Sequence, residues 1–296
     1  MSRFIYADHA GTTALSQTAL AAMTPYFTDH YGNPSSLYRF GQEAKADLER
    51  ARADIAACIG AKPEEIFFTS GGTEADNWAL KGVVELMALK GKTTGHIITS
   101  AIEHHALLHT AQHLEKQGYA VTYLPVDELG RVSPADVEAA VRPDTVLISI
   151  MAANNEIGTI QPVAEIGAVA RKHKILFHTD AVQAVGHIPV DVEAWNVDLL
   201  KGVGALYVRR PLLLPPLLHG GGQEKGRRSG TENVPGVIGM AAALKEAVAQ
   251  LEAEGARLSA LRDRLIDGLT KLPYTRLTGD PENRLPGTAS FVFEGV

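Results

Sequence analysis

The stretch FFTSGGTEADN, Phe67 to Asn77, runs from aromatic and β-branched residues through paired glycines into residues of helical character. It reads as a strand, a tight turn and a helix start. Backbone N–H groups at a helix N-terminus, helped by the helix dipole, form a ready anion site, and paired glycines let a phosphate come close. A plain turn with Thr73 as N-cap and Asp76 in the capping-box position fits the same letters. The spacing matches neither a P-loop nor a dinucleotide fingerprint, which argues against nucleotide binding.

Outward from this stretch the pattern repeats. The expected helix from Thr73 to Lys90 is followed by HIITS at residues 96–100 and a helix from His105 to Gln117. AVTYLPV at 120–126 precedes a helix opening at SPADVEAAVR, with Ser133 as cap and Pro134 at the first helical position. TVLISIMAA at 145–153 leads to a helix from Val163 to Lys174, and then to ILFHTDA at 175–181. Strands alternating with helices predict an α/β fold, a mostly parallel sheet covered on both faces. Such sheets bind ligands beyond the carboxyl ends of their strands. A single long helix is expected from about Pro235 to Leu269, connecting to a second, smaller unit. The closing TASFVFEGV, residues 288–296, has the pattern of a strand with no partner after it, so the chain is expected to be incomplete.

Composition sets the class. The 296 residues are 45% hydrophobic and 21% charged, with a formal net charge of −6, and they carry neither a basic patch for nucleic acid nor a long apolar run for a membrane. No signal peptide opens the chain, so a cytoplasmic location is expected. The single cysteine, Cys58, excludes an internal disulfide and reads as a buried structural residue at a helix end.

Several polar groups fall at strand ends. ILFHTDAVQAVG places His178, Asp180 and Gln183 at the exit of an apolar strand. A carboxylate there needs a cation or N–H partner; a protonated pyridine nitrogen, a helix cap or a structural arginine each satisfies it. SAIEHHALLHTAQH carries His105, His109 and His113 on one helical face. Successive ligands along a straight helix spread over about 12 Å, too far for one ion, so no metal site is expected. His104 differs: it stands at a strand exit, where an imidazole can stack on a flat ring. MAANNEIGTIQP brings Asn154, Asn155 and Glu156 to another strand end.

Together these segments, with GNPSSLYRFG at 32–41 and HGGGQEKGRRSGTEN at 219–233, closely resemble the NifS and IscS type of cysteine desulfurase in the class V aminotransferase group. The resemblance runs from about Tyr6 to Gly287. It implies the pyridoxal-phosphate (PLP) fold type I, with a large cofactor-binding domain at 13–246 and an incomplete smaller α+β domain from 1–12 and 247–296. It also implies a homodimer, L-cysteine as substrate, and a sulfur acceptor or iron-sulfur scaffold protein as partner. By motif, Gly72 and Thr73 would hold the cofactor phosphate. His104 would stack on the ring as the sole catalytic group present, and Asp180 would pair with the ring nitrogen. Gln183 would touch the ring hydroxyl, Asn155 would lie between cofactor and substrate, and Thr231 would reach the phosphate of the other subunit.

Two departures stand out. In the family, the strand corresponding to VDLL is followed by a Ser-x-Ser-x-His-Lys-x-x-Gly-Pro loop whose lysine forms the Schiff base; here Leu200 joins Lys201 directly. Lys201 therefore matches the lysine that follows the family's Gly-Pro and reads as a turn residue, with substitution as the Schiff-base amine as the alternative. The family's persulfide-forming cysteine and substrate-binding arginine lie in a C-terminal portion that this sequence lacks. The expected function is a desulfurase supplying sulfur for iron-sulfur clusters or tRNA thiolation. A selenocysteine lyase, an aminotransferase or an inactive scaffold are the alternatives.

Overall fold

A computed structural model describes residues 4–295. Three helices come first, α1 (Gln17–Met23), α2 (Pro25–Thr28) and α3 (Arg39–Cys58). The alternating region follows as β1 (Ile66–Phe68), α4 (Gly72–Leu89), β2 (His96–Ser100), α5 (His105–Lys116), β3 (Ala120–Leu124), α6 (Pro134–Ala139), β4 (Thr145–Ser149), α7 (Val163–His173) and β5 (Leu176–Asp180). A hairpin of β6 (Leu199–Gly202) and β7 (Ala205–Val208) and a short turn of helix, α8 (Gln223–Gly226), lead to α9 (Val234–Ala249), α10 (Leu251–Leu269), β8 (Thr275–Thr278) and β9 (Ser290–Phe293).

The first seven strands form one sheet in the order β1-β7-β6-β5-β4-β2-β3, parallel except where β7 runs antiparallel to both β6 and β1. Strand side chains alternate between faces, and the sheet uses both. Ile97, Leu147 and Leu199 pack with Trp78 and Leu80 of α4 and Leu107 of α5. Their neighbours Ile98, Ile148 and Leu200 pack on the other face with Leu48 of α3, Ile166 of α7 and Val237 of α9. Burying each such side chain contributes about 1.5–3 kcal/mol, so both helical layers are bound to the sheet.

The same alternation positions the site. On β5, Phe177 belongs to the α3 face, which turns His178 and Asp180 toward α4. On β6, Leu199 faces α4, so Lys201 does too, and it lies opposite Asp180 in the parallel register.

One expectation requires correction. The helix expected over 235–269 is two helices, α9 and α10, bent by 73° across Gln250. Helical spacing continues through the break, but packing does not: α9 buries Val234, Val237 and Ala241, whereas α10 buries no residue. Among the described residues, no single helix is long and apolar enough to cross a membrane. The terminal strand β9 pairs antiparallel with β8, which precedes it. This unit meets the loop after β4 through buried Arg284, which donates to the Ile157 carbonyl as well as to the Asp280 and Thr278 carbonyls of its own segment.

Candidate active site

Helix α4 starts at Gly72 with Gly71 as N-cap and no side-chain cap, leaving its first N–H groups without a side-chain acceptor. Thr73 is therefore inside the helix rather than its cap, and Asp76 is not in a capping box. The turn is braced from behind: the Ser70 N–H donates to Glu74 (2.8 Å), and Arg228 grips the Glu74 carboxylate with two nitrogens at 2.8 and 2.9 Å. Against the cost of burial, these donors hold Glu74 down at about 2. The glycine- and arginine-rich segment at 219–233 thus anchors the strand-to-helix turn.

Lys201 is a strand residue, not a turn residue. The two residues between the hairpin pair Gly202 and Ala205 are Val203 and Gly204, and Gly204 adopts φ +70°, the left-handed region that glycine enters without strain. Lys201 is only 4% exposed, and its Nζ donates to Asp180 Oδ2 at 2.6 Å and Asp76 Oδ2 at 2.8 Å. Burial opposes its charge, but Asp180 and Asp76 outweigh burial and hold the ammonium above the ordinary lysine range. Gly72 is where α4 crosses Lys201, and a Cβ there would collide with the lysine Cε.

Asp180 thus finds its cation in Lys201, while its Oδ1 accepts the Val182 N–H at 3.1 Å. Beside it opens a cavity of about 380 Å³ lined by Gly72, Thr73, His104, Asn155, Asp180, Gln183 and Lys201. Six residues singled out from sequence line this one space. His104 caps α5, its Nδ1 accepting the Ala106 N–H at 3.1 Å, and burial together with the Lys201 charge lowers its pKa. Asn154 ties its own loop, donating to the Ile102 carbonyl and accepting from the N–H groups of Glu156 and Ile157, which leaves Asn155 to the cavity. Thr231 is exposed, in the loop after α8 and outside the lining.

Three acidic or basic residues stand behind the cavity: Asp76, which the sequence suggested as a capping residue, His178, which it placed at a strand exit, and Glu103, which it did not single out. Asp76 sits four residues after Gly72, hence on the same helical face. Burial and the neighbouring Asp180 charge push it up to about 7, with Lys201 pulling the other way. His178, fully buried, meets Ser149 Oγ through Nδ1 at 2.8 Å and lies 3.8 Å from Asp76, and burial lowers it to about 3, so it is neutral. Glu103 accepts from Ser100 Oγ (2.6 Å) and the Met151 N–H (2.9 Å), and burial raises it to about 8.

Cys58 ends α3 half-buried rather than buried, away from the cavity, and burial pushes its thiol up. Among the described residues no group of three or more His, Cys, Asp or Glu side chains could hold a metal ion.

A mostly parallel sheet with an uncapped helix N-terminus, an imidazole and a buried aspartate around one cavity agrees with the pyridoxal-phosphate fold type I that the sequence resemblance implies. Residues 5–296 match the family described as Aminotransferase class-V. A cysteine desulfurase IscS from Methanosarcina thermophila is 52% identical over 305 residues, spanning 100% of this chain and 75% of that protein. A cysteine desulfurase IscS from Dictyoglomus turgidum is 50% identical over 307 residues, spanning 100% and 77%. Among solved structures, a NifS-like protein superposes with a TM-score of 0.94 at 41% identity, covering 99% of this chain and 82% of the other. SspA in complex with cysteine gives 0.86 at 39%, covering 98% and 83%. The chain belongs to the class-V aminotransferase family, in its NifS/IscS-type cysteine desulfurase branch.

Proposed function

We propose that this protein is a PLP-dependent desulfurase that takes sulfur from L-cysteine and leaves L-alanine. The observation that carries the reading is the convergence of Gly72, Thr73, His104 and Asp180 on one cavity. Gly72, Thr73 and the first N–H groups of α4 suit the cofactor phosphate, as helix N-termini favour anions. His104 suits a ring face, Asp180 a ring nitrogen, Gln183 a ring hydroxyl, and Asn155 the space between ring and substrate. The bound cofactor supplies an electron sink for bonds broken next to the amino group. The neutral His178 and the neutral Glu103 behind the cavity keep its floor free of further charge at neutral pH. Within this reading the protein is a cytoplasmic homodimer, Thr231 reaches the phosphate held by the partner subunit, and the sulfur passes to an acceptor or iron-sulfur scaffold protein.

A second reading, an inactive scaffold, is favoured by one observation, the Lys201 ammonium already seated on Asp180. Incubation with PLP, a thiol reductant and L-cysteine, with alanine measured as product, separates the two. Alanine formed from cysteine supports the desulfurase; amino transfer to a keto acid points to an aminotransferase. No product from cysteine, selenocysteine or common amino donors overturns the enzymatic reading.

A further inference from the structure

Among the described residues, Lys201 is the one amine lining the cavity. Its position follows from strand register: β6 pairs with β5 so that Lys201 and Asp180 are neighbours on the α4 face. There it takes Asp180 Oδ2 at 2.6 Å, while the Val182 N–H takes Oδ1 at 3.1 Å. Both oxygens of the carboxylate suited to a ring nitrogen are therefore engaged within the chain. The second carboxylate, Asp76, holds Lys201 in place at 2.8 Å, and Gly72 closes over its aliphatic stem.

A protonated pyridine nitrogen brought to Asp180 would meet an ammonium bound to the same carboxylate. Like charges that close, away from bulk water, repel more strongly than they would on a surface. Lys201 is also ill-placed to react with the cofactor aldehyde. On the pyridine ring the aldehyde stands para to the nitrogen, so an amine at the nitrogen's partner lies at the wrong end. An ammonium held by two carboxylates moreover has no free electron pair for attack on a carbonyl carbon.

Resting on the cofactor site proposed above, we infer that Lys201 is the built-in cation of Asp180, standing where the ring nitrogen belongs and setting how tightly the cavity takes PLP. The chain holds PLP noncovalently, and the lysine and the ring nitrogen compete for one carboxylate.

The test is PLP titration, followed by absorbance and by the rise in melting temperature, on wild type, Lys201→Met and Lys201→Gln. Glutamine keeps a neutral donor for the two carboxylates, so it separates cofactor affinity from any loss of folding in the methionine variant. Both variants are expected to bind PLP about tenfold more tightly or better, in proportion to the charged hydrogen bond relieved. Borohydride should leave the mass of the wild-type chain unchanged. A phosphopyridoxyl adduct mapped to Lys201 overturns the inference, as does affinity in both variants equal to or below wild type. The latter result would make Lys201 a partner of the cofactor, for instance of its phosphate. Absence of PLP binding in all three proteins defeats the cofactor site itself, and this inference with it.

Discussion

Two buried ion pairs flank the turn after β1, and they differ in completeness. Arg52 of α3 meets Glu224 of α8 with two nitrogens at 2.8 and 2.7 Å, and its Nη1 also donates to the Ile66 carbonyl at 2.7 Å. Glu224 Oε2 accepts the Phe68 N–H at 2.9 Å as well, and the residue holds a left-handed backbone, φ +48°, to do so. Around Lys201, in contrast, Asp76 Oδ1, His178 Nε2 and Glu103 Oε2 lack a hydrogen-bond partner. Buried polar groups are normally satisfied, so exceptions call for an explanation. Three of them stand together behind the cavity, others lie elsewhere in the fold, among them Tyr207 Oη and Arg284 Nη1, and the Arg52–Glu224 pair that holds the scaffold together is closed.

The sharpest way to break this contrast is to open the closed pair. Arg52→Met leaves Glu224 buried without its cation, which is expected to cost about 3–5 kcal/mol. The midpoint of urea unfolding reads this directly. Adding Glu224→Gln should recover part of the loss, because the uncompensated charge is gone. A loss below about 1 kcal/mol from Arg52→Met would mean that the pair does not brace the turn.

The next effect belongs to the open cluster and depends on pH. Burial holds the Glu103 carboxyl at about 8, so the folded protein binds that proton more tightly than the unfolded chain. The stability this contributes is complete below the ordinary carboxylate range and is lost as pH rises through about 8. Glu103→Gln removes the titration. The variant should gain on wild type with a slope on the order of 1.4 kcal/mol per pH unit, levelling off above about 8. Unfolding curves at acidic, neutral and basic pH decide it: parallel stabilities would show that Glu103 is already ionised in the folded state.

The legibility of the molecule from its sequence follows the same divide. Local grammar was readable: Ser133 caps α6, its Oγ accepting the Asp136 N–H at 3.3 Å, and strands β1 to β5 fall on the expected runs. Motifs at strand ends led to the residues that line the cavity, because chain topology brings the carboxyl ends of parallel strands together. What was hidden depends on partners distant in sequence. Lys201 sits between apolar letters and a Gly-Val-Gly run that equally spells a turn, and only the β5–β6 register turns it toward Asp180. Asp76 looks like a capping residue until α4 is laid across β6. The break at Gln250 has no proline or glycine to announce it; it appears where α9 leaves the sheet domain.

A smaller expected effect asks whether Lys201 is held as firmly as Arg52. In Gly72→Ala the new Cβ meets the Lys201 Cε, and the tethered lysine must shift. The expected cost is about 1–3 kcal/mol, reduced somewhat by the better helix propensity of alanine. In the Lys201→Met background the obstacle is flexible and untethered, so the same substitution should cost less, and a double-mutant cycle on melting temperature measures the difference. Equal costs in the two backgrounds would show that the lysine moves freely and that its two carboxylates do not fix it.

The smallest expected effect supplies the control for all of these. Lys245 of α9 and Asp54 of α3 form an ion pair at 3.0 Å, similar in length to the buried ones, but their side chains are 56% and 42% exposed. Water solvates both charges after either partner is removed, and holding two long side chains in register costs entropy. Lys245→Met is therefore expected to change stability by no more than about 0.5 kcal/mol, and by less still in high salt. Urea unfolding at low and high ionic strength measures it beside Arg52→Met under the same conditions. If the exposed pair proved worth as much as the buried one, distance between charges would govern these interactions rather than their isolation from water. The contrast between the closed and the open cluster would then lose its physical basis.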